Sequence, residues 1–364
     1  MNTKKTLRII VAAGGTGGDL FPAIAVIERL QQRCSCDVIF TGNKARMEAD
    51  VVPSLGYPFV GLTITGYKGL RSVDTYMLPF RLLRAYVTMR SLISDKKPDV
   101  VLCAGTYVSY PLAMAAAHKG VPIVLIESNA IPGKANRVLA DKASLIIAAF
   151  DDVKKVLSEK ARRVVHVLGN PIRQNFQKTM TQSQARKHFG LDEQKTTLLV
   201  FGGSLGARSI NTAVESSLQQ LHEAGIQVLW QTGKNFTHSA QIPNSIHSMQ
   251  FITDMAEAYS AADLVICRSG GGTVAELGVV GKPAVLVPYP YAANNEQEHN
   301  ARSLVDRGAA LMIRDGDTLA QLIPTALHLL HNTQQREAMA EAMKLCGKPK
   351  SADDTADAIL QLVG

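Results

Sequence analysis

Apolar residues along this chain come in short β-branched runs closed by glycine, alternating with longer stretches of helical periodicity. Residues 7–13 (LRIIVAA) form such a run and end at Gly14 and Gly15. A strand buried on both faces of a parallel sheet reads this way, because neither face needs polar residues. A helical pattern follows over 22–30, then a second apolar run, 37–40, and the turn Thr41-Gly42-Asn43. Nearly the same series returns from Thr197: LLVFGGSLGAR, a helical pattern through Leu221, the run IQVLWQ and Thr232-Gly233-Lys234. Gly14 maps onto Gly202 at an offset of 188 and Thr41 onto Thr232 at 191, so the register slips by only three residues. Further strands are predicted at 100–103, 121–126, 144–148, 263–267 and 283–287, most of them separated by helix-length segments. Strand, glycine turn, helix and strand, repeated at half the chain length, predict an α/β protein of two Rossmann-like domains whose parallel sheets face each other across a cleft.

The boundary is placed where an apolar run ends at Gly169-Asn170-Pro171 and a glutamine-rich stretch begins, giving domains over 1–170 and 171–342. The amphipathic end, 356–363, predicts a terminal helix within 343–364 that packs back on a domain, here assigned to the N-terminal one. A length of 364 residues suits two such domains better than one core. With 46% apolar and 19% charged residues, the composition excludes disordered and fibrous classes.

No uncharged apolar run reaches the ~18 residues of a membrane-spanning helix. The basic start passes almost at once into glycines, which argues against a cleaved secretory signal. Five cysteines, at 34, 36, 103, 267 and 346, show no C-x-x-C spacing and are expected as reduced thiols, small and hydrophobic, in a cytoplasmic protein. The net charge of +8 asks for an anionic partner: nucleic acid, a phosphate-bearing substrate or an anionic membrane surface. No recognised nucleic-acid module appears, so nucleic acid is not expected.

The chemistry concentrates in three places. Gly14-Gly15-Thr16-Gly17-Gly18 lets backbone N–H groups approach a phosphate or sugar at a helix start. A dinucleotide fingerprint is disfavoured, because Leu20 stands where its third glycine belongs and Thr41-Gly42-Asn43 carries no ribose-binding acid. No G-x-x-x-x-G-K-[ST] sequence occurs, which excludes a P-loop ATPase. Second, Ser269-Gly270-Gly271-Gly272-Thr273 opens a helix whose unpaired N–H groups and dipole favour a diphosphate. Glu276, about a turn further in, fits either a ribose diol or simple complementation of the dipole. Third, Asn294 to Asn300 packs amides and carboxylates after a buried strand, which suits sugar hydroxyls as well as a plain polar loop.

At these residues the sequence resembles the MurG family, bacterial transferases of the GT-B class that add N-acetylglucosamine to lipid I to make lipid II. The resemblance runs through nearly the whole chain: GGTGG at 14–18, GTYVSYP at 105–111, ESNAIPGKANR at 127–137, GNPIR at 169–173, GGSLGAR at 202–208, QTGK at 231–234, FITDMAEAY at 251–259, CRSGGGTVAE at 267–276 and the stretch 297–301. It implies UDP-GlcNAc contacts at Thr16, Gly17, Gly18, Asn129, Arg173, Ser204, Ile252, Gly271, Gly272, Thr273, Glu276 and Gln297, with Asn300 touching the sugar. Arg173 would bring charge to the diphosphate, Ile252 a backbone contact to uracil and Glu276 the ribose clamp. The departing UDP would be stabilised by a helix N-terminus and fixed donors, with no cofactor and no dedicated metal.

An inverting transfer needs a base for the acceptor hydroxyl. Where the family carries histidine after GGTGG, this chain has Asp19, a weaker base at its reference value unless burial raises it. Glu127, matching an acid of the family's HEQN motif, which reads Ile126-Glu127-Ser128-Asn129 here, is the second candidate. Thr106, Tyr110 and Glu296 also depart from the family pattern. These changes fall mostly on the acceptor side and keep three alternatives open: a different lipid acceptor, a UDP-GlcNAc epimerase of the same fold, or a catalytically impaired homologue.

Between Gly66 and Lys97 seven basic residues (Lys68, Arg71, Arg81, Arg84, Arg90, Lys96, Lys97) face two acids, Asp74 and Asp95, among aromatic and apolar side chains. A core-facing helix with a solvated basic side fits this pattern, and so does a helix lying on an anionic bilayer. The resemblance favours the second, with Tyr76, Phe80, Leu83, Arg81 and Arg84 as the patch that holds the enzyme peripherally on the cytoplasmic membrane face, where undecaprenyl-linked lipid I arrives.

Overall fold

The computed structural model describes residues 6–64, 73–177 and 180–364; Lys68, Arg71 and the side chain of Asp74 lie outside them. The chain divides into two compact units, Met1–Arg173 with Lys350–Gly364, and Gln174–Pro349.

The first unit carries a sheet of seven strands: β1 (Leu7–Ala12), β2 (Cys36–Asn43), β3 (Phe59–Leu62), β4 (Val100–Ala104), β5 (Ile123–Glu127), β6 (Leu145–Ala148) and β7 (Val165–His166), in the order β3-β2-β1-β4-β5-β6-β7. The second carries six: β8 (Thr197–Phe201), β9 (Gln227–Gln231), β10 (Ile246–Met249), β11 (Leu264–Cys267), β12 (Ala284–Leu286) and β13 (Ala310–Met312), in the order β10-β9-β8-β11-β12-β13. Every pairing is parallel. Each residue of β4, β5, β8 and β9 is buried, which is why these strands read as apolar runs. In both sheets the order reverses beside the first strand, between β1 and β4 and between β8 and β11. Such a reversal opens a crevice at the carboxyl ends of the strands, and the glycine motifs follow those strands directly.

Two helices depart from the sequence pattern. The first runs Gly17–Arg33 rather than from Pro22, so this proline sits in the second turn and not at the usual start. The stretch read as one helix through Leu221 is two, Arg208–Glu215 and Leu218–Glu223, parted at Ser216-Ser217.

The division falls at 173/174 and 349/350, not at 170 and 342. Helix Thr333–Cys346 stays with the second unit because its end packs backbone to backbone: a Cβ on Gly347 would lie 2.3 Å from the Gly278 carbonyl oxygen. Only helix Ser351–Val363 returns to the first unit. There Ala356 and Ile359 join Leu20, Ile24 and Ile27 in one buried cluster. Asp353 pairs with Arg33 at 3.0 Å and Arg29 at 3.3 Å, and Asp357 with Arg33 at 3.0 Å. Ile359→Ala is expected to lower the stability of the first unit by about 2–5 kcal/mol and leave the second unit's transition in place. Urea unfolding followed by probes in each unit checks this; an unmoved first transition would mean that the helix contributes nothing to that core.

Candidate active site

The turn after β1 is built by conformations that glycine alone adopts without strain, φ +153° at Gly14 and +86° at Gly15. Glu48, wholly buried, lies directly beneath. Its carboxylate accepts hydrogen bonds from the N–H groups of Gly15 (3.0 Å) and Asn43 (2.8 Å), and a Cβ on Gly14 would strike it at 2.2 Å. Helix Gly17–Arg33 starts from this turn, with Asp19 in its first turn and the Thr16 hydroxyl donating to Asp19 Oδ2 at 2.9 Å. Asp19 Oδ1 lies 3.3 Å from where a Cβ on Gly105 would be, so the turns after β1 and β4 meet at this carboxylate. Arg173 lays its guanidinium 4.4 Å from the centre of the Phe21 ring, a cation–π contact that fixes the charge beside the same helix start.

Glu127, the last residue of β5, is 3% exposed. It accepts from the N–H groups of Asn129 (2.9 Å) and Gly133 (3.0 Å) and from Asn136 Nδ2 (2.8 Å). Its carboxylate therefore shapes the 128–133 loop that presents Asn129. Of the two candidate bases, Asp19 lies in the first turn of helix Gly17–Arg33 and Glu127 under the 128–133 loop.

In the second unit the turn after β8 leaves Ser204 exposed. Gly206 and Gly233 hold it against the turn after β9: a Cβ on Gly206 would lie 2.1 Å from the Thr232 carbonyl oxygen. Gln231 Nε2 donates to the Gly203 carbonyl at 2.9 Å while its Oε1 accepts from the Ile252 N–H at 2.8 Å. The Ile252 N–H is thus taken within the protein, and its carbonyl is the other backbone group for the contact expected at uracil.

After β11, helix Gly271–Val280 starts from Gly270 and brings Gly271, Gly272 and Thr273 to its amino end. Glu276 Oε2 accepts from the Tyr259 hydroxyl at 3.1 Å. Tyr259 has no exposed surface and lies between Phe176 and Phe201, and burial, then the Glu276 charge, holds its hydroxyl well above the usual range, so it stays a donor. Gln297, near the start of helix Glu296–Val305, accepts the Tyr289 N–H at 3.0 Å. Asn300, which the resemblance assigns to the sugar, has no exposed surface, and its Nδ2 donates to the Ser269 carbonyl at 3.1 Å beside the glycine loop.

Sequence reasoning missed Glu48 and gave Gln231 no role. The signal for Glu48 was an acid opening a short helix (EADVVPS) just past β2. Among the described residues no group of three or more His, Cys, Asp or Glu is placed to hold a metal ion.

Helix Val73–Lys96 is apolar on two sides. Ala85, Met89 and Ile93 are buried in the core, whereas Tyr76 (69%), Phe80 (69%), Leu83 (61%) and Val87 (57%) form an exposed stripe at helical spacing. Beside the stripe a cavity of about 590 Å³ is lined by Lys44, Arg81 and Arg84 together with Leu62, Met77 and Phe80. Among the described residues no helix is long and apolar enough to cross a membrane.

The glycosyltransferase family 28 N-terminal domain matches residues 9–147, and the family 28 C-terminal domain matches 197–356. A relative from Christiangramia forsetii, named UDP-N-acetylglucosamine--N-acetylmuramyl-(pentapeptide) pyrophosphoryl-undecaprenol N-acetylglucosamine transferase, is 36% identical over 99% of each chain. A relative of the same name from Parabacteroides distasonis is 37% identical over 98% of each. The crystal structure of Acinetobacter baumannii MurG superposes with a TM-score of 0.77 at 28% identity, covering 98% of this chain and 100% of that one. A UDP-GlcNAc 2-epimerase from Neisseria meningitidis, solved bound to UDP-GlcNAc, has a TM-score of 0.69 at 16% identity over 98% and 100%, a likeness of fold alone. With relatives this similar along their whole length and both family 28 domains in order, the chain belongs to the MurG family of glycosyltransferases.

Proposed function

We propose that this protein transfers N-acetylglucosamine from UDP-GlcNAc to the MurNAc 4-hydroxyl of undecaprenyl-linked lipid I, giving lipid II in peptidoglycan synthesis. The observation that carries the reading is the glycine-led start of helix Gly271–Val280 at the second sheet's reversal, with Glu276 oriented by a buried tyrosine. N–H groups of Gly271, Gly272 and Thr273 meet the diphosphate, and the positive helix end takes up charge as UDP departs. Glu276 accepts from the ribose diol. Ser204 and Gln297 supply further polar contacts, and Ile252 offers uracil its carbonyl, its N–H being engaged by Gln231. In the first unit Thr16, Gly17, Gly18, Asn129 and Arg173 supply the remaining donor contacts.

Asp19 is the base. As the acceptor oxygen attacks the anomeric carbon opposite the leaving UDP, its proton passes to the Asp19 carboxylate, which the Thr16 hydroxyl orients. Glu127 positions the loop that carries Asn129 and does not touch the reacting atoms.

Helix Val73–Lys96 holds the enzyme peripherally on the cytoplasmic membrane face. Its exposed stripe enters the interface while Arg81 and Arg84 meet anionic headgroups. An ordinary core-facing helix would show water its polar side, and this one shows it Tyr76, Phe80, Leu83 and Val87.

Purified protein given labelled UDP-GlcNAc and lipid I is expected to form lipid II. Asp19→Asn should lower kcat by about 10²–10⁴-fold with donor binding retained. Glu276→Ala should cost about 10–100-fold in kcat/KM, the loss of charged hydrogen bonds to the ribose, and Tyr259→Phe about 3–10-fold. Donor binding without lipid II, beside an active control enzyme, would discard lipid I as the acceptor; release of an epimerised sugar nucleotide would favour the epimerase.

Sedimentation with anionic vesicles checks the membrane face. Phe80→Glu is expected to weaken binding about tenfold or more, the cost of withdrawing one large aromatic from the interface. Equal binding of both proteins would remove this helix from the membrane.

A further inference from the structure

We propose that Cys34 and Cys36 form a reversible thiol pair, a modification site that a low-molecular-weight disulfide converts to an intramolecular disulfide. Their sulfur atoms lie 3.6 Å apart, and both residues are partly exposed. Cys103 and Cys267, in contrast, are buried in strands β4 and β11. The pair occupies the turn from helix Gly17–Arg33 into β2. Cys34 caps the helix with extended backbone, its N–H donating to the Leu30 carbonyl, and Cys36 begins the strand. Ser35 between them is anchored from outside, its carbonyl accepting the Leu7 N–H at 2.9 Å. This anchoring keeps the two thiols together.

Bonding residues two positions apart closes a very short loop, and such a closure removes little entropy from the unfolded chain. The bridge therefore adds little stability, and its small ring carries strain that makes it easy to reduce again. These are the properties of a labile bridge rather than of a structural one.

The chemistry balances as two exchanges. The Cys34 thiolate attacks one sulfur of the small disulfide, forming a mixed disulfide and expelling one thiolate. Cys36 then gives its proton to solvent or to the expelled thiolate, and its sulfur attacks Cys34 Sγ, expelling the second thiolate. Two protein thiols and one small disulfide thus become one protein disulfide and two small thiols. Cys34 leads because burial, then the hydrogen bond to Cys34, pushes the Cys36 thiol up to about 12 and keeps it protonated. The neighbouring Arg33 holds Asp353 and Asp357 of the terminal helix, so the modification falls beside the contact that fastens the chain's end.

The test incubates the native full-length protein with oxidised glutathione, quenches with acid, alkylates and maps the peptides by mass. The expected product is a peptide holding Cys34 and Cys36 that has lost two hydrogens, carries neither glutathione nor alkyl group, and returns to a dithiol with dithiothreitol. In Cys34→Ser, Cys36 stays a free thiol or a single glutathione adduct. Two glutathione adducts on the pair would overturn the proposal. So would two free thiols under conditions that oxidise a short Cys-Ser-Cys peptide.

Discussion

Glu48 places a carboxylate with no exposed surface beneath the first glycine turn, and the shape of that turn follows from what a buried carboxylate demands. A buried charge is tolerated only when it is well hydrogen-bonded, and here the donors are backbone N–H groups of Gly15 and Asn43. Satisfying it draws the turn after β1 and the end of β2 onto one point, at a distance that leaves no room for a side chain on Gly14. The second unit solves the same problem with a neutral group. Gln231, at the end of β9, donates to the turn after β8 and accepts from the 252 backbone. In both halves a side chain at or beyond the second strand locks the turn that follows the first. The internal repeat thus extends from the order of elements to the means of fixing the turns that follow β1 and β8.

The central strands were legible because parallel strands buried on both faces are continuous apolar runs; β1, β4, β5, β8, β9 and β11 all announce themselves. Strands β3, β7, β10 and β13 were not found. They have two to four residues, most keep partly exposed positions, and IHSM or VH carries no pattern to detect. The break at Ser216-Ser217 was hidden because both helices keep their apolar face on the same core. The turns after β1 and β8 were legible as glycine motifs, since a turn closing on its neighbours leaves few residue choices.

Motifs pick out residue types and do not show which of them packing buries. Asn300, Glu127 and Glu48 are all nearly or wholly buried and spend their polar atoms on loop backbone. Asp19 and Glu276 are only partly buried, and Ser204 is exposed. This difference in burial is a property of tertiary packing that a motif does not carry. The same holds for helix Val73–Lys96: its apolar residues are visible in the sequence, but only packing shows that one set is used by the core and another is left facing water.

The return of the last helix to the first unit reverses the order of events on the ribosome. The second unit, Gln174–Pro349, has its whole chain in hand before residues 350–364 are made. The first unit, begun earlier, lacks Ala356 and Ile359 of its own core until helix Ser351–Val363 emerges. Domains that fold as they are made usually finish in the order in which they start. Here the unit that starts first closes after the one that starts second, and a chain cut before Ser351 leaves it with an open apolar face.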